Sequence, residues 1–183
     1  MDEMNAYSPP ECAPLEMLND QPLTLQAGVW RERQMTNIYA MSQGHQYWDA
    51  TISLAERCSW RAGPFLAQKM RSNDFNHWER VFAACIDGKV AGFCTLAEKD
   101  ELPEGYAFTP FIGFVFVDEP YRGRRLSELL VNHAILYARQ LGYKKVYIMS
   151  GEIGLYEKYG FTKLGDYETI YDSIDQLFCR SIE

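Results

Sequence analysis

Polar and apolar positions along the chain follow several distinct periods. From Trp30 to Met70 the aromatic and aliphatic residues Tyr47, Trp48, Ile52, Leu54 and Ala55 recur near helical period, predicting a mainly helical region that Gly63-Pro64 interrupts. Leu23–Ala27 reads as a first short strand. Trp78–Ile86 and Val90–Ala97 are two runs of β-formers joined at Asp87-Gly88-Lys89, and an Asp-Gly pair between such runs predicts a hairpin. A polar loop, Glu98–Tyr106, leads to a wholly apolar run, Phe111–Val117, which predicts a buried strand stopped by Pro120.

From about Arg125 to Leu141 the apolar residues Leu126, Leu129, Leu130, Ala134, Tyr137 and Leu141 fall three and four apart. They predict a long amphipathic helix with Gly142 just past its end. Lys144–Met149 predicts another strand, Ile153–Tyr159 a short helix ended by Gly160, and Phe161–Tyr167 with Gln176–Ile182 a closing strand pair. Strands and helices in this order predict a mixed α/β sheet with helices on its faces. Residues 1–20 hold three prolines and no periodicity and read as a mobile or loosely docked tail, so that residues 21–183 form one domain.

Composition narrows the class. The 183 residues are 47% apolar and 23% charged, ordinary for a globular chain. Five cysteines (Cys12, Cys58, Cys85, Cys94 and Cys179) are odd in number and lack C-x-x-C spacing, which argues for a reducing, cytoplasmic setting over a disulfide framework or zinc site. There is no basic-then-apolar leader and no run long enough for a membrane span, so no membrane partner is expected. His45, His77 and His133 sit in no metal-ligand or triad spacing, so no metal is expected; His133 falls on the apolar face of the long helix. Walker-type, zincin and serine-hydrolase motifs are absent.

Charge is unevenly distributed. The net charge is −7, yet Pro120–Lys145 carries six basic residues against Glu128 alone, a +5 segment that leaves −12 elsewhere. Nucleic-acid binders show a basic domain or stripe; one basic patch on an acidic body suits a compact polyanion instead. Arg122, Arg124 and Arg125 cluster around Gly123 between a strand and a helix start. There, unpaired N–H groups and the positive end of the helix dipole favour phosphate.

Two motifs in this context resemble the GNAT superfamily of acyl-CoA-dependent N-acetyltransferases. The first is the pyrophosphate loop, Gln/Arg-x-x-Gly-x-Gly/Ala, which begins here at Arg122. The second is Leu-Tyr-x-Lys-x-Gly-Phe, matched by Leu155, Tyr156, Lys158, Gly160 and Phe161. The resemblance covers roughly Trp78–Phe161 and is concentrated in these two motifs. The chain departs from the loop pattern at Arg125, where glycine belongs, and at Ser127, where glycine or alanine belongs. Arg125 therefore either reaches a phosphate or crowds the loop.

The resemblance implies a mostly antiparallel sheet splayed between its fourth and fifth strands, with acetyl-CoA in the gap. It places Phe116 and Val117 of the fourth strand against the cofactor and the loop Arg122, Gly123, Arg124, Arg125, Leu126 and Ser127 on its pyrophosphate. An amine would attack the thioester directly and CoA thiolate would leave. Tyr156 matches the tyrosine that protonates that thiolate, a fair leaving group at a thiol pKa of about 8.5. Glu152 is the first choice for the base, ahead of Asp118, Glu119, Glu98 and Glu101, and a water chain is the alternative.

The acidic body favours a small cationic amine as acceptor. A non-catalytic acyl-CoA sensor and a protein lysine or N-terminal acetyltransferase are the competing readings. The acceptor's identity and the oligomeric state, including a homodimer, stay open at this level.

Overall fold

The computed structural model describes residues 35–183. The expected tail and the expected strand Leu23–Ala27 lie outside the described residues. Within them, β1 (Thr36–Met41), α1 (Trp48–Arg57) and α2 (Gly63–Arg71) precede the hairpin of β2 (Arg80–Ile86) and β3 (Lys89–Ala97). Then follow β4 (Phe111–Val117), α3 (Leu126–Gln140), β5 (Lys145–Ser150), β6 (Thr162–Glu168) and β7 (Ile174–Ser181). The seven strands form one sheet in the order β1-β2-β3-β4-β5-β7-β6, antiparallel at every pairing except β4 with β5.

Alternation along β2 explains the two-sided core. Phe82 and Ala84 face α3 with Leu130, Ala134 and Tyr137, whereas Val81, Ala83 and Cys85 face α1 and α2 with Leu54, Leu66 and Met70. With both faces covered, six consecutive β2 residues are buried, and the strand reads as an unbroken apolar run. The hairpin closes at Asp87 and Gly88, both with positive φ (49° and 75°), the conformation that two-residue hairpin turns need.

Three expectations need correction. Thr36–Met41 is a strand paired with β2, at the edge of the sheet among the described residues, and not part of a helix, because Ile38 and Tyr39 are better satisfied on a pleated surface; the helical period begins only at Trp48. Gly63-Pro64 starts α2 instead of breaking a helix, with proline in the first turn where its missing N–H costs nothing. The segment Ile153–Tyr159 forms only a 3-10 turn at Glu157–Tyr159. Seven residues opening beside Gly151 and Gly154 (φ 73°) are too few and too flexible to nucleate an α-helix.

Two features of β4 position the site. The register jumps from Thr95↔Gly113 to Phe93↔Phe116, so Phe114 and Val115 together oppose Cys94, and Phe114 takes φ 50°. This is a β-bulge, which bends a strand and re-aims its side chains. Meanwhile β4 pairs with β5 only at Phe111↔Tyr147, supported by the Tyr147 N–H donating to the Pro110 carbonyl at 3.0 Å. Beyond that point β5 follows β7, and a gap opens between the two parallel strands.

Candidate active site

The gap is a cleft of about 980 Å³. Ile112–Phe116 line one wall and Ile148–Glu152 the other, with Trp60 and Phe65 from the α1–α2 region and Tyr171 from the β6–β7 turn at its mouth. Trp60 lies parallel to Phe116 at a centroid distance of 6.3 Å and edge-on to Phe114 at 6.1 Å, so the α1–α2 turn and the bulged strand are held together.

At one end stands the arginine loop. Arg122 donates from Nε to the Val117 carbonyl at 3.1 Å, pairs with Glu119 at 3.0 Å, and places its guanidinium over the Phe116 ring at 5.8 Å. Asp118 accepts the Glu119 N–H at 3.1 Å, and the Ser59 hydroxyl donates to Glu119, so these two carboxylates brace the loop. Gly123 adopts φ 77°, and Arg125 adopts φ 57°, the left-handed region that suits glycine. The Arg125 side chain turns outward onto Glu128. Leu126 is buried, and the Ser127 hydroxyl lies 2.8 Å from that of Tyr159. Of this loop, Arg122 alone contributes to the cleft lining; Val117 packs its side chain toward α3 with Leu126.

Tyr156 forms part of the inner wall. Its ring packs against Phe178 at 5.6 Å, Tyr159 at 6.0 Å and Phe161 at 6.1 Å, and only 5% of the residue is exposed. Burial pushes its hydroxyl pKa well up, partly offset by a bond to the Ser150 side chain, so the phenol stays protonated. Glu152 lines the cleft but is exposed; its N–H donates to Ser150 Oγ at 3.1 Å, and its carbonyl accepts from Gln176 at 3.2 Å. Glu98 is turned away, bound to Asn76 at 2.9 Å.

The opposite end of the cleft is acidic and was only half legible. The sequence singles out Glu101 but neither Asp175 nor Asp100, although Asp100 stands in the same acidic loop. A Cβ on Gly113 would lie 3.1 Å from Asp100 Oδ2, and one on Gly151 would lie 3.4 Å from Asp175 Oδ1. The Asp100 carboxylate therefore occupies space left by a glycine on β4, and Asp175 lies in ordinary contact distance of Gly151, just past β5. Part of Asp100 remains open to the cleft, yet its carboxyl sits deep enough that desolvation raises its pKa to about 8. The charges of Glu101 and Asp175 add to the rise, and a backbone N–H and Lys69 oppose it. Glu101 is raised as well, by burial first and then by Asp175, against Arg61. Nothing in sequence spacing links β7 to that loop; the Ile170 N–H, donated to the Glu101 carbonyl at 2.8 Å, makes the link.

Among the described residues no group of three or more His, Cys, Asp or Glu side chains could hold a metal ion, and no helix is long and apolar enough to cross a membrane. His133 is a packed residue, with Nδ1 2.8 Å from the Leu129 carbonyl.

A sheet that splays between a bulged fourth strand and the fifth, with a basic loop at the following helix, is the frame of an acyl-CoA-dependent acetyltransferase. The model of the acetyltransferase (GNAT) family matches residues 45–161, and the chain belongs to that family. It is an N-acetyltransferase with acetyl-CoA as cosubstrate. No curated protein sequence matches it. Among solved structures it is similar to aminoglycoside 6'-acetyltransferase type Ii (16% identity, 80% of this chain and 97% of that one, TM-score 0.63). An aminoglycoside 6'-N-acetyltransferase complexed with coenzyme A is comparable (14%, 80% and 97%, TM-score 0.62). So is a GNAT family acetyltransferase from Elizabethkingia anophelis with acetyl-CoA bound (18%, 80% and 97%, TM-score 0.56). At these identities the likeness carries the fold.

Proposed function

We propose that this enzyme acetylates a primary amine on a small, cationic molecule by direct attack within a ternary complex. The observation that carries this reading is the acidity of the cleft: Asp100, Glu101, Glu152 and Asp175 line it against Arg61 and Arg122. Acetyl-CoA enters with its pyrophosphate toward Arg122–Ser127 and its pantetheine arm along β4 at Phe116 and Val117, which directs the thioester toward Tyr156. A cationic acceptor is drawn to the acidic end, where low-dielectric walls strengthen the attraction of the carboxylates that are ionised. The amine nitrogen attacks the thioester carbonyl, and the tetrahedral intermediate expels CoA thiolate. The Tyr156 hydroxyl, kept protonated by burial, supplies that sulfur with a proton. Before attack the ammonium must lose a proton, and Glu152 stands on the cleft's open side within this set of acidic groups.

Free-thiol release from acetyl-CoA, measured against a panel of polyamines, aminosugars and neutral hydroxylated amines of similar size, tests the reading. Cationic acceptors should show kcat/KM values at least tenfold above the neutral ones, with the preference shrinking at high salt. Equal use of neutral and cationic amines would overturn it. The two aminoglycoside-acetylating neighbours, whose names give a polycationic acceptor for those enzymes, agree with this choice of panel.

A further inference from the structure

We infer that Asp100, and not Glu152, takes the proton from the acceptor's ammonium group. The inference rests on the amine-acetylation reading above. Four observations converge on it. Asp100 lines the cleft on the β4 side, with Oδ2 beside the space over Gly113, one residue from the bulge that opens the strand. The missing Cβ on Gly113 leaves the carboxylate room at the wall itself. Glu152 is exposed, where water competes for any proton it would accept. Glu98, Asp118 and Glu119 are each engaged elsewhere, with Asn76, Arg57 and Arg122.

The environment of Asp100 suits the task. In water, a carboxylate of pKa about 4 is a poor acceptor for a proton from an ammonium of pKa about 10, a mismatch of roughly six units. Burial and the neighbouring Glu101 and Asp175 bring Asp100 to about 8, while Lys69 limits the rise. The remaining gap is about two units, which leaves a small fraction of the bound amine neutral and ready to attack. In the step itself the N–H bond of the ammonium breaks and an O–H bond forms on Asp100. The freed lone pair attacks the thioester carbon, the C–S bond breaks, and the sulfur takes its proton from Tyr156. The second proton of the attacking nitrogen passes, through water, to the Tyr156 oxygen and restores the phenol. Asp100 later releases its proton to solvent at the cleft mouth.

The test uses the whole chain and the best acceptor from the panel. For the wild type, kcat/KM should rise about tenfold per pH unit below pH 8 and level above it. Asp100→Asn should lower kcat by about 10²–10⁴, remove that limb and leave the CoA dissociation constant unchanged. A fluorinated analogue of the same acceptor, whose amine is already neutral at pH 7.5, needs no base, so it should recover most of the variant's lost rate. That recovery also shows the variant to be folded. Gly113→Ala, which moves the carboxylate without removing it, should lower kcat less and keep a displaced limb. The proposal is overturned if Asp100→Asn keeps the wild-type rate and limb while Glu152→Gln loses them. Equal losses on the neutral and the protonated amine also overturn it, since Asp100 would then be structural. Cation preference is read from the wild-type panel and the base from the variant, so the two readings fail separately; no turnover of any amine would overturn both.

Discussion

Arg125 forks across Glu128, Nη2 donating to Oε1 at 2.8 Å and Nε to Oε2. The residue that replaces a loop glycine thus keeps the glycine-like backbone, φ 57° and ψ 28°, and sends its charge away from the loop. Both readings of that departure, phosphate contact and obstruction, meet a third arrangement here: an exposed surface ion pair.

Arg125→Gly should therefore be nearly silent. The side chain is 77% exposed, and such pairs contribute about 0–1 kcal/mol. Calorimetry should give a CoA dissociation constant within about threefold of the wild type, whereas Arg122→Ala, which also frees the Val117 carbonyl and Glu119, should weaken binding about tenfold or more. A tenfold loss from Arg125→Gly would mean that its guanidinium swings onto the phosphates.

Tyr156→Phe should lower kcat by about 10²–10⁴ under single-turnover conditions while sparing CoA affinity. The packing against Phe161 and Phe178 involves the ring, which phenylalanine retains. Unchanged single-turnover rates would leave the hydroxyl a packing group bound to Ser150.

The strands of the sheet were legible because local pattern and burial agree there. Phe111–Val117 is apolar throughout and buried or half-buried, and Asp87-Gly88 meets the turn's demand for positive φ. The loop and Tyr156 were legible through motif and context. Three things were not. The strand at Thr36–Met41 is specified by its partner β2, a contact 40 to 50 residues away, and local propensity does not report it. The bulge at Phe114 leaves no trace in an all-apolar strand. The acidic end depends on Asp175 arriving from β7 and on Gly113 yielding space to Asp100, which are tertiary facts.

Stability should fall as pH rises through the range in which Asp100 titrates. Its folded pKa of about 8 lies above the roughly 3.9 of an unfolded chain, so between these values the native state holds the extra proton. The native advantage is complete below about pH 4 and is lost progressively up to about pH 8, and Glu101 acts in the same direction. Asp100→Asn removes this term. Melting temperatures at pH 5, 6, 7 and 8 should show the variant gaining on the wild type as pH increases; parallel curves would contradict the buried position of the carboxyl.

Gly63→Ala should destabilise the fold by about 1–3 kcal/mol, the cost of overpacking. A Cβ there would strike the Ala55 carbonyl oxygen and Cys58 Sγ, at the corner where Gly63 N–H bonds the Trp60 carbonyl at 3.0 Å. Thermal unfolding should move down by several degrees. An unchanged midpoint would mean that α1 and α2 slide apart at little cost.

The most direct test of the whole account is the rate of thiol release from acetyl-CoA by the wild-type chain, read with a di- or polycationic amine and with a neutral amine of the same size. The account predicts turnover of both, at least tenfold faster in kcat/KM for the cation at low salt and converging as salt screens the acidic end. Equal rates at every salt concentration, or release that does not depend on added amine, would contradict it.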